Sequence, residues 1–297
     1  MTRGAVLAII CVFVSVSPVA AQGNGHGHAY GQLKTSTSAP SSGGAAQVQP
    51  GVSAGVRNFG SWLDDASLMT PGAGSLTLSF GWYRSPLFHE FDAPVADGGI
   101  GLTRRVQFGF SVPYYHVNEP GGPVFRGVGD MYLSSKVQLR EPSAEHHGLG
   151  FAVTPVVAVL SSDSIETGRR FNWAAPVSVE LQRDGWRAFG SAGYFSQGSL
   201  FASGALEVAA SNRVTLTGTL TQSHSTIADE PAATLVLSRT RTDVSGGATF
   251  MLNPGVAVFG NVGRTISQQD ANAASVVVSG GVSFNFDAWH QAGRRSR

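Results

Sequence analysis

The sequence predicts an all-β fold, an antiparallel up-and-down transmembrane β-barrel of about twelve strands. Three observations predict it: period-two alternation along most of the chain, connections that alternate between short and long, and charge confined to one parity of the strands. Composition points the same way. Charged residues make up 13% of the chain and hydrophobic ones 42%, against a usual charged share of about 25%. Either Ser, Thr and Gly cover the surface or much of it does not face water. The 38 glycines favour turns and close backbone approach over helix. A formal net charge of +1 gives no reason to expect nucleic acid as a partner.

The chain opens MTRGAVLAIICVFVSVSPVAAQ, with a basic Arg3, an apolar run from Ala5 to Val16, and Val19-Ala20-Ala21 before Gln22. That order is a secretory signal, with cleavage expected near Ala21. Residues 1–21 are therefore expected to be removed. The rival reading is a single-span anchor, but the run is shorter than the roughly 20 residues a helix needs to cross hydrocarbon. Cys11, the sole cysteine, lies inside this segment, which leaves a mature chain without disulfides, thiolate metal sites or a cysteine nucleophile. Residues 22–60, rich in Gly, Ser, Ala and Pro, read as a flexible periplasmic lead. His26 and His28 lie in this tract, and two ligands fall short of the three or four a fixed metal site needs. No cofactor and no metal are expected.

The barrel is expected over residues 61–286, followed by a periplasmic tail at 287–297. Twelve strands are predicted near residues 74–84, 95–103, 105–116, 126–140, 148–160, 173–183, 186–197, 199–210, 213–225, 233–252, 255–266 and 274–286. Most match the roughly 9–11 residues a tilted strand needs to cross a bilayer. After the even-numbered strands come Thr103-Arg104-Arg105, the segment Glu141 to Gly148, Arg183-Asp184-Gly185, Ser211-Asn212-Arg213 and Asn253-Pro254-Gly255, mostly tight turns. After the odd-numbered strands come SPLFHEFDAPVAD, VNEPGGPVFR, SSDSIETGRRFN, a brief QGS, TIADEPA and SQQDANA, which are mostly longer and more polar. Short turns on one rim and long loops on the other, with an even strand count, place both ends of the barrel on the periplasmic side.

The two faces of each strand agree with the two rims. In VTLTGTLT, Val214, Leu216, Gly218 and Leu220 share one face while Thr215, Thr217, Thr219 and Thr221 share the other. Leu76, Leu78, Phe80 and Trp82 form another apolar set. So do Val106, Phe108, Phe110, Val112 and Tyr114; Met131, Leu133, Val137 and Leu139; and Leu149, Phe151, Val153, Val157 and Val159. Charge collects on the opposite parity, as hydrocarbon on the first face would require. A soluble sandwich shares the parity, and it remains as an alternative. Aromatic residues near strand ends (Trp82, Tyr83, Tyr114, Tyr115, Trp173 and Trp186) suit interfacial girdles. The last strand alternates through Val276, Val278, Val282 and Phe284 to Phe286, similar to the assembly signal that ends outer-membrane barrels, although DAWHQAGRRSR follows it. Barrel assembly machinery and outer-membrane lipid are thus the expected partners.

GLTRRVQFGFSVPYY, residues 101 to 115, and GVGDMYLSSKVQLRE, residues 127 to 141, resemble recurring stretches of the outer-membrane transporter family named for the meta-pathway of phenol degradation. The resemblance spans roughly residues 60 to 286. It implies a barrel that passes small hydrophobic or aromatic molecules.

A channel needs a polar lumen whose side chains set size and charge selectivity. The candidate lumen residues are Arg105, Lys136, Arg140, Arg187, Arg213, Arg239 and Arg241 against Asp130, Glu180, Glu207 and Asp243. Asp130, Lys136 and Arg140 share a face and form the expected constriction. The alternative is that these charges pair and plug a narrow interior. A lipid hydrolase would draw on His116 with Asn118, or on His224 between Ser223 and Ser225. No serine motif accompanies either histidine, so no enzyme is expected.

Overall fold

A computed structural model describes residues 62–86, 89–118, 124–142, 148–159, 171–196, 198–226, 238–267 and 273–287. The expectations for the signal segment, the lead with His26 and His28, and the tail beyond Asp287 lie outside the described residues.

Fifteen strand elements form a single sheet: β1 (Ala73–Arg84), β2 (His89–Gly101), β3 (Val106–Asn118), β4 (Val124–Val128), β5 (Met131–Arg140), β6 (Leu149–Val153), β7 (Val156–Val159), β8 (Phe171–Ala174), β9 (Val177–Arg183), β10 (Trp186–Phe195), β11 (Ser199–Ala209), β12 (Val214–Ser225), β13 (Thr240–Asn253), β14 (Val256–Thr265) and β15 (Val276–Asp287). Successive neighbours pair antiparallel, and β1 closes the ring on β15 from Ala73 opposite Asp287 to Arg84 opposite Val276. β4 with β5, β6 with β7, and β8 with β9 are halves of single crossings. The result is a closed barrel of twelve antiparallel strands.

The breaks have a common cause. Proline carries no amide hydrogen and cannot complete a ladder, and Pro155 and Pro176 sit where two of the crossings divide. The third divides at Gly129-Asp130, where Gly129 donates to the Pro113 carbonyl at 2.9 Å. Ser135 likewise donates to Pro155 and Thr154 to Pro176, so the wall stays joined across the fault. A bulge at Ala93-Pro94 lets the second crossing continue where the sequence suggests a loop. That crossing starts at His89 rather than near residue 95, and this brings Glu90 and Asp92 into the wall.

Outward positions are apolar over most of the ring, with Arg126 and Arg264 as charged exceptions towards the long-loop ends of their crossings. Leu216 is 50% exposed, Leu220 46% and Val262 56%, and such an apolar exterior requires hydrocarbon rather than water. Trp82, Tyr114 and Trp173 lie on this outer face, whereas Tyr83 and Tyr115 are buried inward. The girdle expected from those six aromatic residues is therefore smaller, because adjacent residues of a strand cannot share a face. Leu220 lies near the middle of β12. Leu220→Arg is expected to lower folding stability in lipid vesicles by about 2–4 kcal/mol, read by urea titration. A loss below about 1 kcal/mol would mean that protein, not lipid, covers that stripe.

Candidate functional site in the barrel lumen

Residues 62–70 are not wall. Trp62, Leu63, Asp64, Asp65, Ala66, Ser67, Leu68 and Met69 are all buried, and they form a thread through the barrel interior. The thread runs from the long-loop half to the short-turn rim. Trp62 packs with Tyr132, Val156, Ala158, Ala174, Phe195 and Phe201, its ring 6.0 Å from that of Tyr132. Leu63 meets Phe189 and Ala205. At the other end Ala73 donates to the Thr70 carbonyl and Gly72 to Gly101. The chain turns there into β1.

Polar groups of an extended thread must find partners inside a barrel, and here the wall supplies them. Ser191 Oγ donates to the Trp62 carbonyl at 2.5 Å and accepts from the Asp64 amide at 3.1 Å. Gln138 donates to the Ala66 carbonyl at 2.8 Å, and Gln107 accepts from the Met69 amide at 2.9 Å. Thr154, inward-facing like Ala152 and Val156 on either side of it, donates to Asp64 Oδ2 at 2.9 Å. Both ends of the thread are thus indexed to particular strands.

The centre of the thread is an ion cluster. Lys136 Nζ lies 2.7 Å from Asp64 and 2.8 Å from Asp65. Arg187 reaches Asp65 at 3.0 Å, Glu207 at 2.5 Å and Glu180 at 3.5 Å. Glu180 also accepts from Ser67 Oγ at 2.6 Å and from the Ala66 amide. Among the described residues, the four carboxylates Asp64, Asp65, Glu180 and Glu207 meet the two cations Lys136 and Arg187. Without the thread the wall would be balanced, two against two. Buried charge is tolerable only when paired and hydrogen-bonded. The thread is therefore strongly held by the wall.

A second cluster braces the long-loop half. Arg241 Nε bonds both Asp243 oxygens at 3.0 and 2.8 Å, and its guanidinium lies 5.5 Å from the Tyr83 ring centroid. Thr265 donates to Asp243 at 2.6 Å and accepts from the Ala274 amide at 2.8 Å. The partners of the thread named above sit on the β3 to β11 side. On the opposite side Thr215, Thr217, Thr219 and Ser245 face inward yet stay half-exposed. A lane of hydroxyls runs beside the thread.

Asp130, Lys136, Glu180, Arg187, Glu207, Arg241 and Asp243 all point into the lumen. Lys136 meets Asp64 and Asp65 there; the expected constriction of Asp130, Lys136 and Arg140 does not form, because Arg140 is exposed at the strand end. Arg105 and Arg213 likewise are exposed on short turns, outside the lumen, since the strands stop at Gly101 and Ala209 and resume only after them. Arg239 is half-buried just before β13. The sequence reading missed Trp62, Asp64 and Asp65, whose signal was two adjacent carboxylates behind a Trp-Leu pair in a chain poor in charge. His224 pairs with the Thr240 hydroxyl at 2.9 Å and His116 packs edge-on against Tyr114.

No family model matches the chain, and no curated protein does. Among solved structures, an outer membrane channel from Pseudomonas putida F1 superposes with a TM-score of 0.57 at 14% identity, covering 73% of this chain and 96% of that one. The shared fold is a closed barrel of antiparallel strands. The NanC porin gives a TM-score of 0.52 at 11% identity, over 70% of this chain and 98% of that one. At such identities the likeness is one of fold, and it covers nearly the whole of each neighbour.

Proposed function

We propose that this protein is an outer-membrane channel for small solutes, seated in outer-membrane lipid by assembly machinery, whose lumen is held closed by its own segment 62–70. The carrying observation is the clamp of Lys136 and Arg187 on Asp64 and Asp65. A thread fixed by side chains rather than by wall strands has two places to be, inside the barrel or out of it. The short-turn rim is then periplasmic and the long-loop rim external.

Hydrophobic or aromatic solutes suit this reading for two reasons. Residues 101–115 and 127–141 resemble the phenol meta-pathway transporters. The pocket of Tyr132, Phe195 and Phe201 that holds Trp62 would also accept another aromatic ring once the indole withdraws. The test is ion conductance in planar bilayers together with uptake of an aromatic solute into liposomes. The full chain is expected to conduct weakly. Asp64→Asn with Asp65→Asn is expected to raise conductance about tenfold, since a charged clamp loses its partners. No flux above empty lipid from either form would leave only a sealed structural barrel.

A further inference from the structure

The thread makes two contacts with the wall that a small aromatic acid would also make. Trp62 is fully buried, and its indole fills a hollow walled by Tyr132, Val156, Phe195 and Phe201, in which the two phenylalanine rings lie 5.4 Å apart. Asp64 and Asp65 then place carboxylates on Lys136 at 2.7 and 2.8 Å. Trp62 and Asp64 are two residues apart, so their Cα atoms are separated by at most about 7 Å. Ring and carboxylate meet the wall as one short unit.

What the wall keeps once that unit withdraws decides the ligand. Among the described residues, Lys136 bonds Asp64, Asp65 and the Ser67 carbonyl, and all three belong to the thread. Its partners leave together. Arg187 differs, because Glu207 and Glu180 on the neighbouring strands stay with it. Withdrawal frees its Nη1 from Asp65, and its Nη2 is already buried with no hydrogen-bond partner. A buried N–H without an acceptor is costly and marks a place for an oxygen. Glu180 and Glu207 offset the charge of Arg187, so Lys136 supplies the attraction for an anion and Arg187 supplies further N–H groups beside it.

We infer that the space held by Trp62, Asp64 and Asp65 is a binding site for small aromatic carboxylates, with the ring against Tyr132, Phe195 and Phe201 and the carboxylate on Lys136 beside Arg187. The inference deepens the channel reading above and rests on it, since it names the solute class that replaces the thread. A neutral aromatic would forfeit the charge-assisted bonds, which are about twice as strong as neutral ones. An aliphatic acid would leave the aromatic hollow poorly filled. The carboxylate belongs on a short chain rather than on the ring itself, as it does in the thread.

The experiment is isothermal titration calorimetry in detergent on the full chain carrying Trp62→Ala, Asp64→Asn and Asp65→Asn, with heat-modifiable migration confirming a folded barrel. Where that variant yields no folded barrel, Asp64→Asn with Asp65→Asn carries the same comparison. Phenylpropanoate is expected to bind about tenfold more tightly than phenylpropanol or hexanoate. Adding Lys136→Met should bring phenylpropanoate down to the level of phenylpropanol, while Asp184→Asn, on an exposed short turn, should change nothing. The same protein is then tested for conductance in planar bilayers. A folded, conducting barrel that binds no phenylpropanoate, or binds it no better than phenylpropanol or hexanoate, overturns the site and leaves the channel standing. A folded barrel that never conducts overturns the channel reading, and the solute class falls with it.

Discussion

Replacing Lys136 with methionine is expected to open the lumen. The ammonium is 3% exposed and holds both Asp64 and Asp65, so its loss leaves Arg187 as the one cation among the described residues that the four carboxylates of the cluster meet. Breaking such a pair costs about 3 kcal/mol or more. Two of those carboxylates belong to the thread rather than to the wall, so under the proposed gating the cost falls on the closed state rather than on the barrel. A shift of about 3 kcal/mol is roughly a hundredfold in the ratio of open to closed forms. Single-channel recording should show long-lived open events in Lys136→Met where the unaltered chain shows few. In a background already carrying Asp64→Asn and Asp65→Asn the same substitution should add little, because its partners are gone. An equal gain in both backgrounds would show that Lys136 acts on the pore and not through the thread.

Arg187→Met is expected to do the reverse, damaging the barrel more than the gate. Arg187 stands directly opposite Glu207 in the ladder, bonds it at 2.5 Å, and also faces Glu180 on the neighbouring strand. Those carboxylates are part of the wall and have nowhere to go. Removing their cation strands two buried negative charges, at about 3–5 kcal/mol. Urea titration of vesicle-embedded protein, followed by the heat-modifiable band, should register that loss. Adding Glu207→Gln should recover part of it, since one stranded charge becomes a neutral amide. Full stability in Arg187→Met would mean that water reaches Glu180 and Glu207.

The two substitutions differ because one set of partners lies on the thread and the other is built into the sheet, and only part of that difference was legible beforehand. Strand parity told which of Lys136, Glu180, Arg187 and Glu207 face inward, since a charge on the other side would meet hydrocarbon. It did not tell that Arg105, Arg140 and Arg213 fall on rims, because a turn one residue longer or shorter moves a side chain out of the lumen. Nor did it place Glu90 and Asp92 in a strand, since a proline at position 94 reads as a loop until a bulge is seen to absorb it.

The amino-acid order alone settled the local matters: an all-β chain, twelve crossings, an apolar exterior, and the rims on which the short and long connections lie. Each of these follows from side chains two positions apart, which share a face whatever the rest of the chain does. What only the assembled barrel decided is the fate of Trp62 to Met69. Asp64 meets Lys136 and Thr154, and Asp65 meets Lys136 and Arg187, across separations in sequence of 71 to 122 residues. No periodicity encodes such a meeting; it exists because closing the ring encloses a space, and the segment at its mouth carries the groups that fit there.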